Sequence, residues 1–197
     1  MTLRFETCTG PAIAPLIGDL ARLRITVFRD YPYLYDGDAA YEASYLARYA
    51  ETPSAVVVIA RDGDTVVGAA TGMASEDSAD DFAFPLSSAG LDPSDVFYCA
   101  ESVLLAAYRG QGAGQVFFEA REAHARALGR RYSVFAAVVR PEDHPSRPVE
   151  YRPLDGFWRK RGYSPLHGAK AAFDWTDLGD REPSTKSLQF WMKDLHP

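Results

Sequence analysis

Residues 101–129 read ESVLLAAYRGQGAGQVFFEAREAHARALG. The apolar run leading into them, residues 95–105, is expected to be a strand. Alternation would put Phe97, Cys99, Glu101 and Val103 on one of its faces. The run ends in a turn, Arg109-Gly110-Gln111-Gly112-Ala113-Gly114, with three glycines in five residues. Such a turn removes side chains where a ligand would meet the backbone. A helix follows at once and stops at Gly129. Phe117, Ala120, His124 and Ala127 share one face of it, with Glu119, Arg121, Glu122 and Arg126 largely elsewhere, and His124 reads as a surface or boundary residue. A strand, a bare loop and a helix N-terminus in succession favour a phosphate or pyrophosphate, because free N–H groups and the helix dipole converge there. A carboxylate at Glu101 on an apolar strand is costly unless it has a task or a partner. It is either a site residue or the partner of a nearby arginine.

Two familiar phosphate loops do not fit. A nucleoside-triphosphate loop needs Lys-Ser/Thr where Gln115 and Val116 stand. A dinucleotide loop needs its third glycine one residue beyond Gly114 and an acid near the position of Arg140. The pattern that does match is Arg/Gln-x-x-Gly-x-Gly/Ala, carried by Arg109, Gly112 and Gly114. Placed after a strand, it resembles the coenzyme A loop of the GNAT superfamily of acyl-CoA-dependent N-acyltransferases. The bland alternative is a structural turn before a core helix.

Size and charge narrow the rest. The chain has 197 residues, 47% of them hydrophobic, enough for a sizeable core in one domain spanning residues 1–197. A formal charge of −6 argues against nonspecific nucleic-acid binding and mildly favours a cationic acceptor. The N-terminus lacks an apolar signal core and no run reaches the length of a membrane span, so a cytoplasmic protein without a membrane partner is expected. Cys8 and Cys99 read as buried thiols in strands rather than a disulfide.

Around the central stretch, residues 3–8 alternate as a first strand, and Leu16, Leu20, Leu23 and Val27 recur at helical spacing over 14–28. The loop from Asp30 to Asp38 holds Tyr31, Tyr33, Tyr35 and Asp36, and a second helix starts at Asp38 or Ala39 with Tyr41, Tyr45 and Tyr49 on one face. Aromatic walls and carboxylates suit a cation, so Tyr33, Tyr35 and Asp36 are the acceptor-binding candidates, whereas Tyr45 and Tyr49 read as packing. Residues 54–60 and 65–73 form a hairpin through Asp62-Gly63. Residues 75–94, with Glu76, Asp77, Asp80 and Asp81, are expected to be an exposed acidic insertion. A fifth strand over 131–140 would run parallel to the fourth after a right-handed crossover. Residues 141–153, with His144, Arg147 and Arg152, border the acceptor site or form a plain connection. A short helix stops at Gly162, and two last strands cover 171–175 and 187–192. Phe190 and Trp191 are available to a homodimer contact.

The GNAT resemblance covers nearly the whole chain in element order. It implies an α/β (α+β) fold: a twisted mixed sheet of about seven strands with helices on both faces, splayed between strands four and five. It also implies acetyl-CoA as co-substrate and no metal. The pantetheine arm would pair with backbone at Val103, Leu104 and Leu105. The pyrophosphate would sit on Gly110, Gln111, Gly112, Ala113 and Gly114, beside Arg109. The activity implied is transfer of an acetyl group to an amine, on a small molecule or a peptide, with Glu101 as general base. Two positions depart from the family. Tyr151 stands where an asparagine is frequent, and Trp158 replaces the tyrosine that often serves as acid. An indole donates no proton usefully, so Trp158 either packs against pantetheine or fills the core. An acyl-CoA-binding module without turnover is the rival.

Overall fold

The structure is a computed structural model that describes residues 2–78 and 85–196. Its frame is one mixed sheet of eight strands: β1 (Arg4–Cys8), β2 (Val56–Asp62), β3 (Thr65–Ala74), β4 (Val96–Tyr98), β5 (Ser102–Leu104), β6 (Tyr132–Val139), β7 (Ser164–Trp175) and β8 (Ser184–Asp194). The spatial order is β1-β2-β3-β4-β6-β8-β7, with β5 paired to β3. β4 and β6 run parallel and the other pairs are antiparallel.

Helices cover both faces. On one side lie α1 (Ile17–Phe28), entered through a 3-10 turn over Gly10–Leu16, and α2 (Ala39–Glu51). On the other lie α3 (Ala113–Ala127) and α4 (Asp155–Arg159). This layering explains why β2 reads as an unbroken apolar run. Val57 and Ile59 pack towards α1 and α2, and Val56, Val58 and Ala60 towards α3, so both faces are dry. The start of α2 is set by its cap, where the Asp38 carboxylate accepts from the Tyr41 N–H at 2.8 Å.

The expected fourth strand is two strands. Ala100 and Glu101 stand opposite the single residue Thr71. The Ala100 N–H donates to Thr71 O at 3.0 Å, and the Thr71 N–H to Glu101 O at 3.0 Å. Tyr98 is opposite Met73 while Ser102 is opposite Ala70, so the register slips by one at this bulge. A slip of one exchanges the faces. Phe97 and Cys99 therefore pack on the α3 side, and Val103 and Glu101 turn to the α1 and α2 side; the four do not share a face as simple alternation implied. Pairing with β6 ends at the Cys99 N–H, which reaches Val134 O at 2.8 Å. Beyond it β5 keeps to β3 and β6 keeps to β8, and the sheet opens into a cleft. The expected splay thus lies between β5 and β6.

Four other expectations change. Arg121 is not on the outer side of its helix; its side chain is almost completely buried. Phe190 and Trp191 are buried inside the chain and unavailable to a partner. Tyr41 is exposed although Tyr49 is buried, because the buried stripe of α2 runs through Glu42, Leu46 and Tyr49 and leaves Tyr41 beside it. The insertion is tied down within its described part: Ser75 and Leu86 are buried and Arg130 pairs with Glu76 at 2.7 Å. Ala79, Asp80 and Asp81 lie outside the described residues.

Candidate active site

The bulge is held from behind by an arginine. Arg121 on α3 donates from Nη1 to Thr71 O at 3.1 Å and to Glu101 O at 3.0 Å, from Nη2 to Ser102 Oγ at 2.9 Å, and from Nε to Phe117 O at 3.1 Å. Its charge is dispersed over neutral acceptors on both sides of the kink. The guanidinium thereby fixes the backbone from which the Glu101 side chain departs on the opposite face.

That side chain meets a second arginine. Arg24 on α1 places Nη1 2.8 Å from Glu101 Oε2, and its Nε bonds Glu42 Oε2 of α2. Its plane also lies over Tyr45 at 4.6 Å and over Phe28 at 5.0 Å. Burial opposes the Arg24 charge, but Glu101, Tyr45 and Glu42 outweigh it and raise its pKa well above the usual value. Glu101 is therefore the partner of a nearby arginine, as one of the two sequence readings had it. Its other oxygen, Oε1, is buried without a hydrogen-bond partner among the described residues.

Phenols wall this cluster. Tyr45 and Tyr49 join hydroxyls at 3.2 Å. Burial, reinforced by the Glu101 charge, pushes Tyr45 up to about 12 and Tyr49 well above its ordinary value. Burial likewise pushes Tyr33 up to about 12, and raises Tyr35 with help from the Glu42 charge. Tyr33 stacks on Phe28 at 4.3 Å and on Trp175 at 6.3 Å. Tyr33 and Tyr35 thus join the cluster from the loop side. Asp36 does not: it points outward and pairs with Arg29 at 3.0 Å. A clasp holds this loop in place. Arg140 donates to the carbonyls of Pro32 and Tyr33, both at 2.8 Å, and grips Asp177 with two bonds of 2.7 and 2.9 Å. These bonds, with those from Lys186, outweigh burial and lower the Asp177 pKa. Residues 141–153 reach the same loop: Tyr31 packs edge-on against Tyr151 at 4.6 Å and lies 5.8 Å from His144.

β5 leads from the bulge to the glycine turn. The Leu105 N–H bonds Val67 O at 3.0 Å, and Val103 is opposite Ala69. By alternation the backbone groups of Ser102 and Leu104 point away from β3, into the cleft. Arg109 Nε donates to Leu104 O at 3.3 Å and its Nη2 pairs with Asp30 at 3.0 Å. Gly112 stands at the N-cap of α3 with φ +87°. The first bonds of the helix run from the N–H groups of Gln115 and Val116 to Gly112 O, at 2.9 and 3.3 Å. None of the described residues accepts from the N–H groups of Gln111, Gly112, Ala113 and Gly114. Trp158 packs in an aromatic layer, its ring centroid 5.0 Å from those of both Phe135 and Trp191.

A mixed sheet parted beside a bulge, with a bare loop and helix N-terminus at the mouth of the gap, is the fold that the resemblance in sequence implied. The Acetyltransferase (GNAT) family model matches residues 21–154, and the chain belongs to that family. No curated protein matches the chain in sequence. Among solved structures, the Salmonella typhimurium protein yncA with its cofactor acetyl-CoA is similar over 100% of this chain and 96% of its own, at 14% identity and a TM-score of 0.60. An N-acetyltransferase from Staphylococcus aureus Mu50 matches over 99% of both chains at 13% identity and a TM-score of 0.59. An aminoglycoside 6'-N-acetyltransferase complexed with coenzyme A matches over 100% of this chain and 98% of its own, at 15% identity and a TM-score of 0.58. At these identities the likeness is one of fold.

Sequence reasoning passed over Arg24, Glu42 and the structural role of Arg121. A signal for the burial of each was present. Arg24 follows Leu20 by four residues, and Glu42 precedes Tyr45, Leu46 and Tyr49 by three, four and seven, so each shares the buried stripe of its helix. For Arg121 the clue was Phe117, four residues earlier on the same face.

Proposed function

We propose that the protein transfers an acetyl group from acetyl-CoA to a primary amine by direct attack, with Glu101 as general base. The pyrophosphate takes the N–H groups of Gln111 to Gly114, with Gly110 and Arg109 at its edge. The pantetheine arm enters the cleft along Val103, Leu104 and Leu105, with the half-buried Trp158 in the aromatic layer beyond β6. The acceptor lies beside Glu101, Tyr33 and Tyr35, with Asp36 at the rim. The likeness to proteins solved with acetyl-CoA and coenzyme A supports the donor. The observation that carries the reading is local: one bulge both turns Glu101, with an oxygen unpartnered among the described residues, away from the hydrophobic core of the α3 side and opens the cleft beside it.

The chemistry follows from those positions. An ammonium has no lone pair, so a proton must leave before attack, and Glu101 Oε1 takes it, directly or through a water. The amine nitrogen then bonds to the thioester carbonyl carbon. The negative oxygen that forms is stabilised by the cleft-facing Leu104 N–H. Collapse breaks the C–S bond and expels the thiolate, and the second proton of the attacking nitrogen leaves through water to give the neutral amide. A thiol pKa of about 8.5 lets water supply the last proton, so the exchange of a tyrosine for Trp158 is tolerable. Holding the two reactants together supplies much of the rate.

The test is acetyl-CoA turnover on a panel of primary amines: an amino acid, a peptide N-terminus, a polyamine and an aminoglycoside, with product masses measured. Glu101→Gln is expected to lower kcat by roughly 10²–10⁴-fold with acetyl-CoA affinity preserved. Unchanged turnover would remove Glu101 from the mechanism. The rival is an acyl-CoA-binding module, favoured by the ion pair that already occupies one Glu101 oxygen; coenzyme A binding without turnover on any amine would establish it.

A further inference from the structure

Arg24 is shared between two acids. Its Nε bonds Glu42 and its Nη1 bonds Glu101, through one oxygen of each. The Glu42 side chain is 0% exposed and that of Glu101 5%. The second oxygen of each carboxylate is buried without a hydrogen bond of ordinary geometry among the described residues, the Tyr35 hydroxyl being the neighbour that approaches Glu42. One cation therefore faces two anions. Burying a second carboxylate beside a guanidinium already satisfied by the first is costly, and a purely structural pair would need only one.

We propose that Glu42 is a positioning residue for acetyl transfer: by holding the Nε edge of Arg24 it keeps the guanidinium on one oxygen of Glu101 and leaves the other to receive the acceptor's proton. Released from Glu42, the planar fork would be free to close on both Glu101 oxygens, and the base would be masked. The inference rests on the reading of Glu101 as base.

The groups facing the pair from every packed element are few. They are Arg24 from α1, Tyr45 and Tyr49 from α2 beside Glu42 itself, Tyr33 and Tyr35 from the loop, and Tyr98 from β4. Burial raises all five phenols, so they stay neutral near pH 7, and Arg24 stays charged. Neutralising Glu42 leaves the whole guanidinium charge to Glu101, which then gives up its proton at a lower pH. Removing the guanidinium has the opposite sign.

The experiment uses the full chain carrying ¹³C-labelled glutamate, with the Glu101 carboxyl signal identified by its loss in Glu101→Gln. In Glu42→Gln its titration midpoint is expected to fall by about one pH unit or more, and in Arg24→Gln to rise. A second variant at the same position, Glu42→Asp, keeps the charge but shortens the reach to Nε, and is expected to shift the midpoint down by less. With acetyl-CoA and the best acceptor of the amine panel, the acid limb of kcat should move with the midpoint while the acetyl-CoA KM stays within about twofold. A midpoint unmoved in both Glu42 variants overturns the proposal. If the midpoints move but Glu101→Gln turns over at the parent rate, the base reading fails, and the role of Glu42 in transfer fails with it.

Discussion

Gly112 and Gly114 sit two residues apart in one loop and are glycine for different reasons. Gly112 has φ +87° with nothing within 4 Å of an added Cβ. The constraint there is backbone conformation, and a side chain costs about 1–2 kcal/mol in strain. It would also project where a phosphate is proposed to lie. Gly114 has an ordinary φ, but an added Cβ would stand 2.9 Å from Phe157 Cζ. The constraint there is the approach of α4 to α3. Gly112→Glu is expected to abolish acetyl-CoA binding in calorimetry while the fold survives. Gly114→Ala is expected to destabilise by about 1–3 kcal/mol in urea melts. Phe157→Leu in the same chain should recover part of that loss, since the two residues touch. Additive losses would mean that the clash is relieved elsewhere.

At the scale of elements, the bulge and α3 form one unit, and its pin is Arg121. The carbonyls it binds also accept from backbone, Thr71 O from Ala100 and Glu101 O from Thr71, so its removal leaves neither bare. What matters is the buried charge. Arg121→Met removes charge and keeps bulk, and replacing a buried ion by an apolar group of similar size is often close to neutral. Arg121→Lys keeps the charge yet cannot span the same acceptors, and is expected to cost about 3 kcal/mol or more. Thermal or urea unfolding that ranks methionine as the worse substitution would sink this account. Both variants are expected to lower kcat through the loosened Glu101 backbone. The bulge was not legible in the sequence because residues 96–105 are apolar enough at both ends to pass for one strand. The slip is imposed by a guanidinium packed behind it from a later helix, which no local period records. The helices and the β2–β3 hairpin were legible, because their apolar spacing, the Asp38 cap and the short turn are local properties of the chain.

At the scale of the whole molecule, the sheet is two halves joined at β4 and β6. The parallel pairing spans Val96 to Tyr98 on one side and Tyr132 to Val134 on the other, and then parts. The glycine turn was readable as a phosphate loop because its chemistry is contiguous. The acid cluster was not, because Arg24, Glu42 and Glu101 come from α1, α2 and the bulge and meet only in the folded chain. A ligand bound along the parted edge touches the loop and both halves, and one that binds only the folded form stabilises it by mass action. Acetyl-CoA at about 100 times its Kd should add about 2.7 kcal/mol, which for a chain of this length raises Tm by about 5–11 °C. A dinucleotide at equal concentration offers a pyrophosphate to the loop but no pantetheine arm for the cleft, and should give a much smaller rise. Gly112→Glu should abolish the acetyl-CoA shift. If the dinucleotide stabilises the protein as well as acetyl-CoA does, the loop alone sets affinity and the cleft between β5 and β6 is not where the arm lies.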